Sequence, residues 1–191
     1  MGTASGGRRW PLLQSVTSER VAAALLQVFS LLDACFELPR EELERRPEYP
    51  DAWTGAEHLE HVCLANHFLL LTIRKGCGKA RRRAEGAKPP EGESDLALLS
   101  PLATPGAFDW SPPSHMVPTG RLQPAEIRTE LKSQRDECLE LLAGLPHGEG
   151  RLCTIWMSVH GLGRLDMYQW LYFLAQHARY HLVMLEQRHR P

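Results

Sequence analysis

Four stretches of the chain repeat their apolar residues at helical spacing, and the segments between them are broken by glycine and proline. The first starts near Ser18 and carries Val21, Leu25, Val28, Leu32 and Cys35, with Glu19 close to its positive N-terminal end and Pro39 beyond its far end. A charged connection over residues 40–46, followed by Pro47 and Pro50, has room for one helical turn. The second stretch opens on Thr54-Gly55-Ala56-Glu57, a capping box in which the hydroxyl and the carboxylate each satisfy a backbone donor of the first turn. It runs from His58 to Ile73 and becomes apolar on nearly all sides, which predicts a helix packed among several others at the centre of the fold. A third begins at Pro124, a first-turn residue, and places Ile127, Leu131, Cys138, Leu141, Leu142 and Leu145 on one face before Gly144, Pro146 and Gly148 end it. The fourth follows Asp166, an acid suited to a helix head, and repeats at Met167, Trp170, Leu174, Met184 and Leu185.

Two connections are unlike the rest. Residues 76–121 hold so many glycines and prolines that no long periodicity survives, yet Leu96, Leu98, Leu99, Leu102, Phe108 and Trp110 suggest that part of this insertion packs back; it is a candidate lid. Residues 152–163 are apolar but short, which predicts a buried loop or a short strand. The small, polar, glycine-bearing residues 1–14 are expected to be flexible, and residues 15–191 to form a single domain. The fold class is all-α, a four-helix bundle with a long, irregular insertion between helices two and three.

Charge and cysteines narrow the partners. With 22 Lys and Arg against 23 Asp and Glu, the formal net charge is −1, so no whole-protein field recruits nucleic acid or an acidic membrane. The basic run Arg74, Lys75, Lys79, Arg81, Arg82, Arg83 is read as a solvated helix end in contact with the C-terminal dipole rather than a nucleic-acid patch. Five cysteines with no Cys-x-x-Cys suggest neither a disulfide framework nor a thiolate zinc site and fit a reducing cytoplasm. Arg8-Arg9 is not followed by a sustained apolar region, Gly6 breaks the myristoylation pattern, and no run approaches the roughly 20 apolar residues of a membrane helix.

The candidate chemistry lies on the fourth helix. His177 and His181 fall on its apolar stripe four residues apart, where Cβ atoms stand roughly 5–6 Å from each other and two imidazoles can converge on one ion. A lone inward histidine is usually a core residue with one hydrogen bond; a pair in a poorly solvated place needs polar partners, and a third ligand would make it a metal site. Bundles build such sites from facing helices, which directs the search to helix two. Spacing does not choose there: His58 and His61 lie three apart on one face, and His67 is closer to the middle.

The string Trp53-Thr54-Gly55-Ala56-Glu57-His58-Leu59-Glu60-His61-Val62 resembles the Trp-Ser-x-x-Glu-x-x-x-His-Leu motif of the DinB/YfiT-like family, with Thr54 for serine and Val62 for leucine. The His177-x-x-x-His181 helix is similar to that family's second signature, and Val159-His160-Gly161-Leu162-Gly163-Arg164-Leu165 to its His-Pro-x-x-Gly entry to the last helix, with Gly161 in place of proline. The ends of the chain and the insertion match nothing in the family pattern. The resemblance implies a four-helix bundle whose metal is held by His61, His177 and His181. Three neutral imidazoles without a fourth protein ligand leave a coordination position open, as catalytic zinc sites do; Zn²⁺ is the default ion, and Ni²⁺ or Fe²⁺ also suits imidazole. The family includes metal hydrolases and transferases that use low-molecular-weight thiols, so the resemblance implies thiol S-transfer or hydrolysis on a small molecule, with such a thiol as co-substrate, and a homodimer. A non-catalytic metal-binding stress or scaffold bundle is the alternative.

No catalytic residue is assigned; His160, His58 and Tyr172 are pocket candidates. With the helix starting at Thr54, His58 lies one turn nearer the exposed end than His61 and is expected at the pocket edge, outside the ligand set. Glu57 is assigned to the capping box, Arg179 to solvent or an interface, and Cys63 to the face opposite His61.

Overall fold

The computed structural model describes residues 15–48, 52–108 and 111–187; the expected flexible stretch 1–14 and Trp110 lie outside them. Among the described residues five α-helices appear in order: α1 (Val16–Cys35), the short α2 (Arg40–Glu44), α3 (Gly55–Ala84), α4 (Pro124–Ala143) and α5 (Met167–Gln187). The four long ones form a bundle in which α1 and α3 each pack against both α4 and α5, so that α4 and α5 face each other across a diagonal. Among the described residues no helix is long and apolar enough to cross a membrane.

Local chemistry sets where the helices begin. The α1 start lies before Ser18, because Ser15 is the cap and its hydroxyl oxygen accepts from the Ser18 amide. At α3 the capping box forms as read: Thr54 Oγ1 accepts from the Glu57 amide at 3.1 Å, the Glu57 carboxylate accepts from the Thr54 amide at 2.7 Å, and Arg46 pairs with Glu57 at 2.9 Å. Asp166 and Gln169 cap α5 reciprocally, each side chain accepting the other's amide at 3.0 Å. These caps fix how far into each helix a later histidine falls.

The insertion is shorter at its start than the glycines suggested. α3 continues through Gly76 and Gly78 to Ala84, so the irregular segment starts at residue 85 rather than 76. Gly76 is there for packing: a Cβ would stand 2.1 Å from Met167 Sδ and 3.1 Å from Ile155 Cδ1. A glycine in a helix costs about 1 kcal/mol against alanine, a small term beside a close approach of α3 to α5. The basic residues Arg81, Arg82 and Arg83 therefore occupy the last turn of α3, next to its carbonyl end. Leu96, Leu99 and Leu102 of the insertion are fully buried against α5, while Leu98 is exposed. Ser94 donates its hydroxyl to Asp166 at 2.6 Å, tying the insertion to the head of α5.

One further expectation changes. The most enclosed helix is α5, buried along nearly its whole length, whereas α3 exposes His67, Leu71, Arg74 and Lys75 along one side. Of the two forms expected for residues 152–163, the short strand is the one formed: β1 (Thr154–Met157) pairs antiparallel with β2 (Gly163–Asp166), Thr154 opposite Asp166 and Met157 opposite Gly163, and Trp156 is 63 % exposed. Gly161 and Gly163, both at positive φ, make the turn between them.

Candidate metal centre

The α3–α5 contact brings three histidines from two distant parts of the chain into one cluster. His61 lies two turns into α3, and His177 and His181 lie one turn apart on α5. All three are buried, with 3 %, 6 % and 5 % of their surfaces exposed. His61 Nε2 stands 3.2 Å from His177 Nε2, and His181 Nε2 stands 3.3 Å from the same atom. The three candidate ligand nitrogens fall within 4.8 Å of one another. Nitrogens bound tetrahedrally to zinc at about 2.0–2.1 Å sit roughly 3.3 Å apart. The pairs around His177 match that separation.

Two neighbours set which nitrogen of His61 and of His181 faces the cluster. His61 Nδ1 lies 2.8 Å from the Met116 carbonyl oxygen, which can only accept, so the proton is on Nδ1 and Nε2 offers its lone pair inward. Met116 belongs to a single helical turn (Ser114–Met116) inside the insertion, which thereby takes part in building the site. His181 Nδ1 lies 2.9 Å from His58 Nδ1, one ring donating and the other accepting. His58 is itself only 7 % exposed, which corrects its expected place at the solvent end: it stands behind His181, on the side away from the cluster, and touches the site through that ring.

Trp53 covers the group. Its ring lies 4.8 Å from His61, 5.5 Å from His58, and 6.2 Å from His181 in a nearly parallel stack, centroid to centroid. Phe173 stacks on the His177 ring from below at 6.4 Å. This apolar jacket governs the titration of the rings. Burial holds His177 down at about 3, with the neighbouring His61 adding to the effect. Burial also pulls His181 well below the ordinary imidazole value, helped by His177, His61 and His58, and it lowers His61, where the Met116 carbonyl offsets part of the shift. At neutral pH the rings are uncharged, the state in which imidazole ligates a metal.

The fit to a divalent ion is therefore good in spacing, in charge and, at His61, in tautomer. The chain shows a second mark of its ancestry in length: a family model for the DinB superfamily matches residues 19–185. The chain belongs to the DinB superfamily. No curated protein and no solved structure matches it. Within this DinB chain the matched span takes in α3 and α4 whole, nearly all of α1 and α5, the three histidines, and so the insertion as well.

The remaining candidates are placed as follows. Tyr172 is half-buried against the core and, at 100° per residue, is turned about 140° from His177 and about 180° from His181 on α5, away from the cluster. The His160 backbone lies in the turn between β1 and β2, and its side chain is outside the described residues. His67 is exposed and meets the Phe68 ring edge to face. Cys63 is buried toward α4, where Gln134 donates to its carbonyl at 3.0 Å. Sequence reasoning missed three contributors. Trp53 was legible only as a motif member and Glu60 falls on an unspecified position of that motif, although an acid within an apolar helix run is a signal of a buried partner. Met116 acts through its backbone carbonyl and has no sequence signal.

Proposed function

We propose that the protein is a metal-dependent enzyme acting on a small molecule, by thiol S-transfer or by hydrolysis, with His61, His177 and His181 as the metal ligands. The observation that carries this reading is the convergence of three uncharged imidazoles with no fourth carboxylate or thiolate joining them among the described residues. A divalent ion with an open position supplies Lewis acidity, favouring the deprotonated form of a water or thiol near neutral pH. Zn²⁺ is the proposed ion, with Ni²⁺ or Fe²⁺ compatible with the same nitrogens. The chain's own contribution is to hold three nitrogens in place and to exclude water from around them. His58 and Met116 fix the rings by hydrogen bonds, and Trp53 and Phe173 supply the apolar walls.

Near-complete burial of the rings favours a second reading, a bundle in which the ion only ties α3 to α5. Metal content and turnover separate the two. Purified protein loaded with Zn²⁺ should retain one ion per chain. It should then hydrolyse p-nitrophenyl acetate, or join a low-molecular-weight thiol to chlorodinitrobenzene, and His177→Ala should lose both ion and turnover. One ion per chain without turnover of either probe supports the scaffold, and no retained ion removes both readings. A homodimer packed through bundle faces belongs to the same proposal: α1 leaves Leu26 at 47 % and Leu31 at 39 % exposure, and sedimentation at micromolar concentration showing only monomer would remove it.

A further inference from the structure

The insertion is held to α3 at three places along one side of that helix. Glu60, 2 % exposed, accepts from the Thr119 amide at 3.0 Å and the Thr119 hydroxyl at 2.9 Å on one oxygen, and from the Gly120 amide at 2.8 Å on the other. The next residue, His61, donates to the Met116 carbonyl. Two turns further along, Phe68 meets the His115 ring edge to face, centroids 4.3 Å apart. Gly120 has φ +66°, a conformation that suits glycine and aims its amide at the carboxylate. A buried carboxylate with three donors makes charge-assisted hydrogen bonds, and losing any of them leaves an unsatisfied group in a dry place. Glu60 is thus the strongest of the three anchors.

We propose that residues 114–120 form a strap that Glu60 pins to α3, and that the pinned strap, through the Met116 carbonyl, selects the tautomer of His61 that presents Nε2 to a metal. Glu60 is then a positioning residue. It touches no ligand nitrogen; it holds the segment whose carbonyl orients one. The inference rests on His61 being a ligand, but the tautomer of His61 is observable without any ion. Release of the strap frees His61 to carry its proton on either nitrogen, and a ring protonated on Nε2 must give up that proton before it can ligate. Loss of such an outer hydrogen bond typically weakens metal binding about 10- to 100-fold.

Glu60→Gln tests this, because the amide keeps one acceptor oxygen and sets an N–H₂ group against the Gly120 amide. The full chain is compared with the variant in three measurements: ¹⁵N–¹H correlation spectra of the His61 ring in metal-free protein, amide exchange at Thr119 and Gly120, and Zn²⁺ affinity against a chromophoric chelator. Wild type should show His61 with its proton on Nδ1. The variant should show a mixture or the Nε2 form, faster exchange at both amides, and zinc affinity about 10- to 100-fold weaker at unchanged helix content. Thr119→Val, which removes a single donor, should move all three in the same direction by less, and it stands in if Glu60→Gln does not fold. A variant whose His61 keeps its proton on Nδ1 and whose zinc affinity stays within about twofold of wild type overturns the proposal. Wild type that takes up no zinc removes the metal reading alone, and the tautomer and exchange data then decide the strap by themselves.

Discussion

Replacing His58 by Ala probes the site through a residue that the resemblance leaves outside the ligand set. The ring stands 2.9 Å behind His181 and is 7 % exposed, so truncation strips a buried Nδ1 of its partner where water does not readily replace it. An unsatisfied buried polar group costs about 1–3 kcal/mol, and that is the loss of stability expected for the metal-free protein. On metal binding, removal of a hydrogen bond that orients a ligand costs about 10- to 100-fold, or roughly 1.4–2.8 kcal/mol. His58→Ala should therefore bind zinc stoichiometrically but more weakly, and His58→Gln, whose amide oxygen can accept from His181, should recover part of the affinity. His61→Ala removes one of three ligand nitrogens and should bind no stoichiometric zinc at all. The assay is metal content after desalting, followed by titration against a chromophoric chelator, with urea unfolding of the metal-free forms alongside. An affinity for His58→Ala within about twofold of wild type would refute the reasoning about the His58–His181 bond. Loss of metal from His58→Ala with retention by His61→Ala would overturn the ligand assignment itself.

Other consequences are independent of that pair. The metal-free protein should lose stability in acid: His177 titrates near 3 when folded against 6.5 for an ordinary imidazole, so between those values the unfolded chain binds more protons and stability falls as pH falls. At pH 5 this amounts to about 2 kcal/mol from His177 alone, at about 1.4 kcal/mol per unit, with His61 and His181 acting in the same direction; a urea midpoint equal at pH 7.5 and pH 5 would contradict it. Gly76→Ala should lower the thermal midpoint, since overpacking against Met167 costs about 1–3 kcal/mol and outweighs a helix-propensity gain of about 1. Gly78→Ala, whose Cβ would meet only Arg82 at 3.6 Å, should raise the midpoint by up to about 1 kcal/mol in stability; equal effects of the two changes in thermal scans would remove the packing explanation for Gly76. Burial raises the thiols of Cys63 and Cys77 to about 12 and of half-buried Cys35 to about 11, so a colourless-to-yellow thiol reagent should label Cys35 first and the other two only on unfolding.

Helical periodicity, caps and breakers are local, and they were legible residue by residue. Thr54 and Glu57 cap α3 and Asp166 heads α5 because each satisfies backbone groups within its own first turn, and Pro124 opens α4 because it has no first-turn N–H to leave unpaired. The pairing of His177 with His181 followed from the helical repeat in the same way, and the motif spanning Trp53 to Val62 supplied His61 by resemblance. Glycine misled where its role was not local: Gly76 reads as a breaker, yet its missing Cβ makes room for Met167, 91 positions away in the sequence. Residues 152–163 left a loop and a short strand open, and the pairing of β1 with β2 was not legible, since four-residue strands carry little periodicity and are decided by their partner. Only the tertiary structure put His58 behind His181, laid Trp53 over three rings, and brought the Met116 carbonyl and the Thr119 and Gly120 donors to consecutive residues of α3. A backbone carbonyl looks the same in every residue, and the reach of residues 114–120 back to Glu60 and His61 depends on how a long, irregular connection folds over a helix. That is set by the whole packed bundle, which no window of the sequence contains.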